Sequence, residues 1–200
     1  MRIRLIYSKR EGACFVPHIA LAQMFTRSAA RAGFSLMMTQ GFSPRPKISF
    51  GPELPAGVAA LNEPVDMYFS GEPDDVVTAM NAALPEGFKI SRAIIIPDDP
   101  SPSSPSLGKS CTHAEYLLRT TSGYELGDRV REFFGEYVVL CEQADDWQRV
   151  IISEPAQNPI GGFVKYLVRE NVISGWHEVN IVRVSVGIYD AEKGCVIINA

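Results

Sequence analysis

Cysteine is scarce and scattered in this chain: Cys14, Cys111, Cys141 and Cys195 never fall at the two- or three-residue spacing that closes a zinc or iron-sulfur site. A chain of 200 residues that is 46% hydrophobic does not depend on disulfides for a core, so all four read as small core residues or inert thiols. Histidine is equally sparse, and His18, His113 and His177 include no i, i+4 pair, so no metal is assigned. No apolar run reaches the roughly 18 residues that span a bilayer. Met1 to Tyr7 alternates charged and apolar side chains where a signal peptide would build an unbroken apolar stretch, so the expected compartment is the cytoplasm, with no membrane partner.

Acid is nearly missing from the first 50 residues. Arg2, Arg4, Lys9, Arg10, Arg27, Arg31, Arg45 and Lys47 face only Glu11 there, a balance of +7. The whole chain carries −4, which leaves −11 for the other 150 residues. If those cations share a surface, one end of the molecule attracts a polyanion or an acidic partner; if they point apart, they only solvate it.

Proline and serine crowd one place, Pro97 to Ser106, and exclude a helix or interior strand there. The expected organisation is a unit over residues 1–96, a linker over 97–110 and a second unit over 111–200. In the first unit, period-two alternation over Arg2 to Ser8 predicts a strand, and His18 to Arg31 has helical spacing with Gly33 as its stop. Strands over Phe34 to Thr39, Val65 to Phe69 and Phe88 to Ile96, with a helix over Asp74 to Leu84, complete a βαββαβ order. Its expected core includes Ile3, Leu5, Phe25, Val65, Met67 and Ile94.

The second unit repeats the order. Strands are expected at Glu115 to Thr121, Tyr137 to Glu142, Trp147 to Ser153 and Val179 to Tyr189, with helices at Leu126 to Phe134 and Ile160 to Glu170. The expected fold class is therefore α+β, two tandem ferredoxin-like βαββαβ units.

The most unusual stretch is Gln40-Gly41-Phe42-Ser43-Pro44-Arg45-Pro46-Lys47-Ile48-Ser49-Phe50. Two prolines hold Arg45 and Lys47 in extended presentation beside an amide, a flexible glycine and an aromatic. That combination suits binding of phosphate by charge and of a nucleobase by stacking, with Gln40, Gly41, Phe42, Ser43, Arg45, Lys47 and Ser49 as binding residues. A structural loop with solvated cations fits the same residues. Gly161 and Gly162 at an expected helix start offer amides to an anion, with Lys165 and Arg169 at i, i+4, although these also read as a cap and a solvated face. Arg183 between Val182 and Val184 reads as the outer face of a strand. His18, at the start of the first helix, is the candidate catalytic base.

The first strand, Phe15 to Leu21, Arg27 to Gly33 and above all Gln40 to Phe50 resemble the radical SAM-linked protein family, specifically over roughly the first 70 residues. That family is a domain of unknown function found beside, or fused to, radical SAM proteins. Its members commonly carry Ser-His-Leu-Asp where this chain has Pro17-His18-Ile19-Ala20, so the acid is absent here. The resemblance implies a radical SAM protein as partner, with the iron-sulfur cluster and S-adenosylmethionine held by that partner and no cofactor in this chain.

The expected function is a noncatalytic accessory or substrate-recognition subunit for a radical SAM enzyme, acting on RNA. One alternative is a metal-independent endoribonuclease of the RAMP type, by analogy of architecture, with His18 as base. The other is a protein-only structural adaptor.

Overall fold

A computed structural model of the chain describes residues 1–97 and 106–198, so residues 98–105 of the expected linker lie outside the described residues. The strands β1 (Arg2–Lys9), β2 (Ile48–Phe50), β3 (Ala59–Tyr68) and β4 (Phe88–Ile96) enclose the helices α1 (His18–Arg31) and α2 (Val76–Ala83) in sequence. A single helical turn, α3 (Leu107–Ser110), stands where the linker was expected to end, and Leu107 is buried. Then follow β5 (His113–Thr120), α4 (Gly127–Phe134), β6 (Val138–Ala144), β7 (Trp147–Ser153), α5 (Ile160–Arg169), β8 (Val179–Asp190) and β9 (Cys195–Ile197).

Among the described residues all nine strands join one sheet, a mixed α/β architecture with the path β4-β1-β3-β8-β5-β7-β6, β2 pairing with β3 and β9 with β8. Every pairing is antiparallel except β3 with β8, where Ala60 lies opposite Arg183. The two halves of the chain therefore share hydrogen bonds across a seam.

Helix α1 forms where Leu21, Phe25, Ser28 and Ala29 recur at helical spacing, and it stops where Gly33 turns left-handed at φ 82°. The Phe34 amide then reaches back to the Ala29 carbonyl at 2.8 Å. In α2, Asp75 is the N-cap, its carboxylate accepting from the Thr78 amide at 3.3 Å. One core packs Ile3, Leu5, Val65 and Met67 of the sheet under Phe25 and Met80, and the other packs Ala114, Leu118 and Val150 under Val130, Phe163 and Leu167.

Three sequence expectations differ from the structure. Phe34 to Thr39 is not a strand; Leu36 and Met38 make isolated bridges, and β2 comes later at Ile48–Phe50. Ile94 is only half-buried and outside the core, because Ile6 pairs with Arg92 while Tyr7 pairs with Ile90. The extra residue, Ser91, inverts the alternation and places Ile94 opposite Arg4, away from the helices. Arg183 is fully buried, not on an outer face, because the alternation from Val179 and Ile181 carries it inward, and a second irregularity, at Val184, then brings Val186 onto the same face.

Burying Arg183 requires partners, and Glu63, Glu53 and Pro52 supply them with Tyr116 alongside. Its Nε donates to Glu63 Oε1 at 2.6 Å and its Nη2 to Oε2 at 2.5 Å, while Nη1 and Nη2 also donate to the Glu53 and Pro52 carbonyls at 3.1 and 3.0 Å. A forked guanidinium facing a carboxylate is the geometry that offsets desolvation best. It fastens β3, β8 and the segment after β2 at the seam. Tyr7, buried beside the pair, has its hydroxyl pKa pushed far up by burial, then by the Glu63 charge, with Arg183 opposing.

Strand β9 closes over β8 so tightly that a Cβ on Gly187 would meet the Ile197 carbonyl oxygen. Glycine is the residue that permits this closure.

Candidate polyanion-binding hairpin

The unusual motif is an insertion in an edge strand. Leu36 bridges Phe69 and Ile48 pairs with Met67, so β3 advances by two residues while this chain advances by twelve. The excess folds into a small hairpin. Thr39 N–H donates to the Arg45 carbonyl at 2.7 Å, Arg45 N–H donates to Thr39 Oγ1 at 3.0 Å, and Lys47 N–H donates to the Met37 carbonyl at 2.7 Å. Met38 and Pro46 bridge, a position where proline's missing N–H is tolerated at an edge. Gly41 turns the tip at φ 128°, a conformation side chains resist.

This arrangement exposes the tip. Gln40, Gly41, Ser43 and Arg45 are exposed, and Phe42 has 111% relative exposure, touching no core. Met37 and Met38 add exposed apolar surface along the first arm. Lys47 is exposed but oriented, its Nζ 3.9 Å from the centroid of Tyr68, and the Arg2 guanidinium lies 5.7 Å from the same ring. Ser49 stands apart from the tip, half-buried in β2 opposite Asp66.

Three of the eight cations in the first quarter, Arg2, Arg4 and Lys9, are drawn into the fold. Arg2 and Arg4 both pair with the buried Asp66, at 2.6 and 2.8 Å. Lys9 is fully buried and donates to the Val16 carbonyl at 2.8 Å, with burial lowering its pKa. Arg31 donates to the Ala83 carbonyl at 2.6 Å. Arg10, Arg27, Arg31, Arg45 and Lys47 are exposed, and the last two belong to the hairpin.

Lys165 and Arg169 sit elsewhere, exposed on α5 in the second half. Arg169 lies 5.4 Å from the Tyr166 ring and donates to Glu170 at 2.9 Å. The glycine pair before them serves packing: a Cβ on Gly161 would touch Pro55 at 3.4 Å and one on Gly162 would touch Phe133 at 3.3 Å. The Gly162 amide is already bonded to the Pro159 carbonyl at 2.9 Å, which removes it as an anion donor.

His18 opens α1 with its ring edge-on to Phe50, centroids 5.5 Å apart. Its Nδ1 is enclosed without a hydrogen-bond partner among the described residues. Burial lowers its pKa below the ordinary 6.5; Arg183 lowers it further, Glu53 opposes and Lys9 adds to the depression. The imidazole is therefore neutral at pH 7. An NMR titration of this ring should give a midpoint below 6.5. Because the unfolded chain then takes up the proton first, His18 should reduce stability as pH falls below about 6.5, and contribute no pH dependence above that. A midpoint at or above the ordinary value would contradict this account.

Tyr68, Met37 and Met38 were missed in the sequence as parts of the site. The charge and aromatic pattern of Gln40 to Phe50 could not show which neighbour would receive Lys47, since Tyr68 is brought there only by strand pairing.

A family model described as an uncharacterized protein conserved in bacteria, DUF2344, matches residues 2–151. The chain belongs to this family. The matched region contains the hairpin, the strands β1 to β6 and the greater part of β7. No curated protein matches the chain. Among solved structures, the small subunit of acetolactate synthase from Thermotoga maritima aligns over 95% of this chain and 98% of its own, at 13% identity and a TM-score of 0.26, too low to carry an argument. Among the described residues no helix is long and apolar enough to cross a membrane.

Proposed function

We propose that this chain is a noncatalytic recognition subunit that holds RNA for a partner radical SAM enzyme, with the hairpin as its RNA contact. The observation that carries the RNA contact is Phe42, wholly in water at the tip of a hydrogen-bonded hairpin, with Arg45 and Lys47 on the returning arm. An aromatic left out of every core forgoes roughly 1.5–3 kcal/mol of burial, and a stacked base would recover it. The two cations supply phosphate contacts without sequence preference. The partner is inferred from the residues between Phe15 and Phe50 that resemble the radical SAM-linked family.

We also infer that the halves are tandem ferredoxin-like units. The support is that each runs βαββαβ and orders its strands fourth-first-third-second: β4-β1-β3-β2 and β8-β5-β7-β6.

A second reading, the endoribonuclease, is favoured by the neutral His18 imidazole with its unbonded Nδ1. Capture of the protein from its native cell, with RNA cross-linked beforehand, tests both. Recovery of a radical SAM protein together with RNA is the expected result. RNA alone, cleaved by the purified chain and spared by His18→Ala, would replace this reading with the endoribonuclease; an acidic protein without RNA would replace it with the adaptor.

A further inference from the structure

A broad cleft lies away from the hairpin, on the sheet face opposite the helices, where β1 is irregularly paired on both sides at once. Toward β3, Tyr7 pairs with Glu63 and Lys9 with Ala60, so Leu61 and Asn62 together oppose Ser8. Toward β4, Ser91 is the extra residue. Two bulges at one level of a sheet splay the strands, and bulges are enriched beside binding and active sites. The opening is a cleft of about 630 Å³ lined by Ser8, Arg10, Leu61, Asn62, Lys89 and Ser91 among others.

The bulges are held by dedicated bonds. Asn81 spans the Ile90 backbone, its Nδ2 donating to the carbonyl at 2.9 Å and its Oδ1 accepting from the amide at 2.7 Å. Ser91 Oγ donates to the Ile6 carbonyl at 3.2 Å and Asn62 Nδ2 to the Val184 carbonyl at 3.0 Å. At the rim, Arg10 N–H donates to the Gly87 carbonyl at 2.9 Å. Gly87 has φ 84°, and a Cβ there would lie 2.6 Å from the Arg10 carbonyl oxygen and 2.7 Å from Ala13 Cβ. That approach fixes Arg10 beside the strand that carries Lys89.

Among the described residues, the side chains of Arg10 and Lys89 make no hydrogen bond or ion pair. Two uncommitted cations on one concave surface select an anion. The hydroxyls of Ser8 and Ser91 and the amide oxygen of Asn62 keep lone pairs for hydroxyl donors, and Glu11, also on the lining, is a further acceptor. Phe88 is buried and offers no free ring for stacking a base.

We propose that this cleft binds a phosphorylated polyol, the ribose-phosphate unit being the chemistry it fits, with phosphate on Arg10 and Lys89 and hydroxyls on Ser8, Ser91, Asn62 and Glu11. The unit reaches the cleft either as a free sugar phosphate or as the 5′-phosphorylated end of an RNA. The inference does not depend on the hairpin.

Calorimetry with ribose 5-phosphate, ribose and inorganic phosphate tests it, together with NMR mapping on the unaltered protein. Saturable binding of ribose 5-phosphate is expected, tighter than either fragment, with shifts centred on Ser8, Asn62 and Ser91. Arg10→Ala with Lys89→Ala should weaken it about tenfold or more, since each charge-assisted bond is worth roughly 1.5–3 kcal/mol. For the RNA source, an oligonucleotide with a 5′-phosphate should outbind its 5′-hydroxyl counterpart, and the double variant should erase that preference while Phe42→Ala leaves it. A preference absent from oligonucleotides but present for ribose 5-phosphate assigns the free sugar phosphate. Shifts located elsewhere, equal affinity for inorganic phosphate, or no saturable binding of any of these would overturn the proposal.

Discussion

Glu63→Ala should cost about 3–5 kcal/mol of folding stability, the largest effect of any single substitution considered, although the side chain touches no external surface. Removing the carboxylate leaves Arg183 fully buried with the Pro52 and Glu53 carbonyls and the Tyr116 hydroxyl beside it, and no anion to balance its charge. A domain of this size has roughly 5–15 kcal/mol of stability in total, so the variant should melt far earlier or fail to accumulate. The ion pair as such is not the main source of that figure. Glu63→Leu combined with Arg183→Met should be less damaging than Glu63→Ala alone, because it removes the uncompensated charge and leaves two carbonyls to find water. Urea unfolding of the wild type and these two variants measures both. A loss below about 0.5 kcal/mol for Glu63→Ala, the range of ordinary surface changes, would show that the seam does not depend on this contact.

Substitutions in the hairpin should do the opposite, changing binding strongly and stability little. Phe42→Ala should weaken binding of a short unpaired RNA by about 1–3 kcal/mol, the worth of one stacked base, and should do so equally at low and high salt. Arg45→Ala with Lys47→Ala should instead flatten the dependence of log affinity on log salt by very roughly 1 to 2 units. Lys47 also covers Tyr68 at 3.9 Å, so its loss should cost about 0.5–1 kcal/mol of local packing, and Arg45 should not. Affinities across a salt series, with thermal melts alongside, separate these effects. If Phe42→Ala leaves affinity for every RNA unchanged, the exposed ring has another purpose and the RNA reading fails.

The sequence was most legible where one physical signal acted alone. Helix α1 at His18–Arg31, β4 at Phe88–Ile96 and β7 at Trp147–Ser153 have the bounds that periodicity predicts. Helix α1 is the plainest case, with one buried face of Leu21, Phe25, Ser28 and Ala29 and a stop at Gly33. Legibility failed where a strand departs from strict alternation. Val182, Val184 and Val186 look like one face of a strand, yet the irregularity at Val184 divides them and puts Val186 on the inward face that Arg183 shares with Val179 and Ile181. Ser91 moves Ile94 to the opposite face in the same way. A bulge has no composition of its own, so a period-two reading passes through it and assigns every later residue to the wrong face.

The edge insertion misled the reading in a different way. Phe34 to Thr39 has a strand's composition, but Leu36 meets Phe69 and the chain then departs into the hairpin. The motif was visible as a functional stretch for the same reason that its strand was misplaced: its prolines and glycine belong to an excursion, not to a sheet. The +7 balance was legible as a number and not as a surface, because Asp66, which neutralises Arg2 and Arg4, lies 64 and 62 residues further along. Only folding brings that acid to them.

The contact between Glu63 and Arg183 spans 120 residues of chain, and this separation has a consequence during synthesis. At roughly 5–20 residues per second, Glu63 waits about 6–24 s after it is made before its partner exists. Through that interval the nascent first half holds an acid destined for burial and the open edge of β3 that β8 will later occupy. An unpaired edge of this kind recruits other strands. The first half is therefore expected to need a chaperone or a ribosome-proximal partner until β8 emerges, and seam formation to be the slow, late step that commits the chain to its final state.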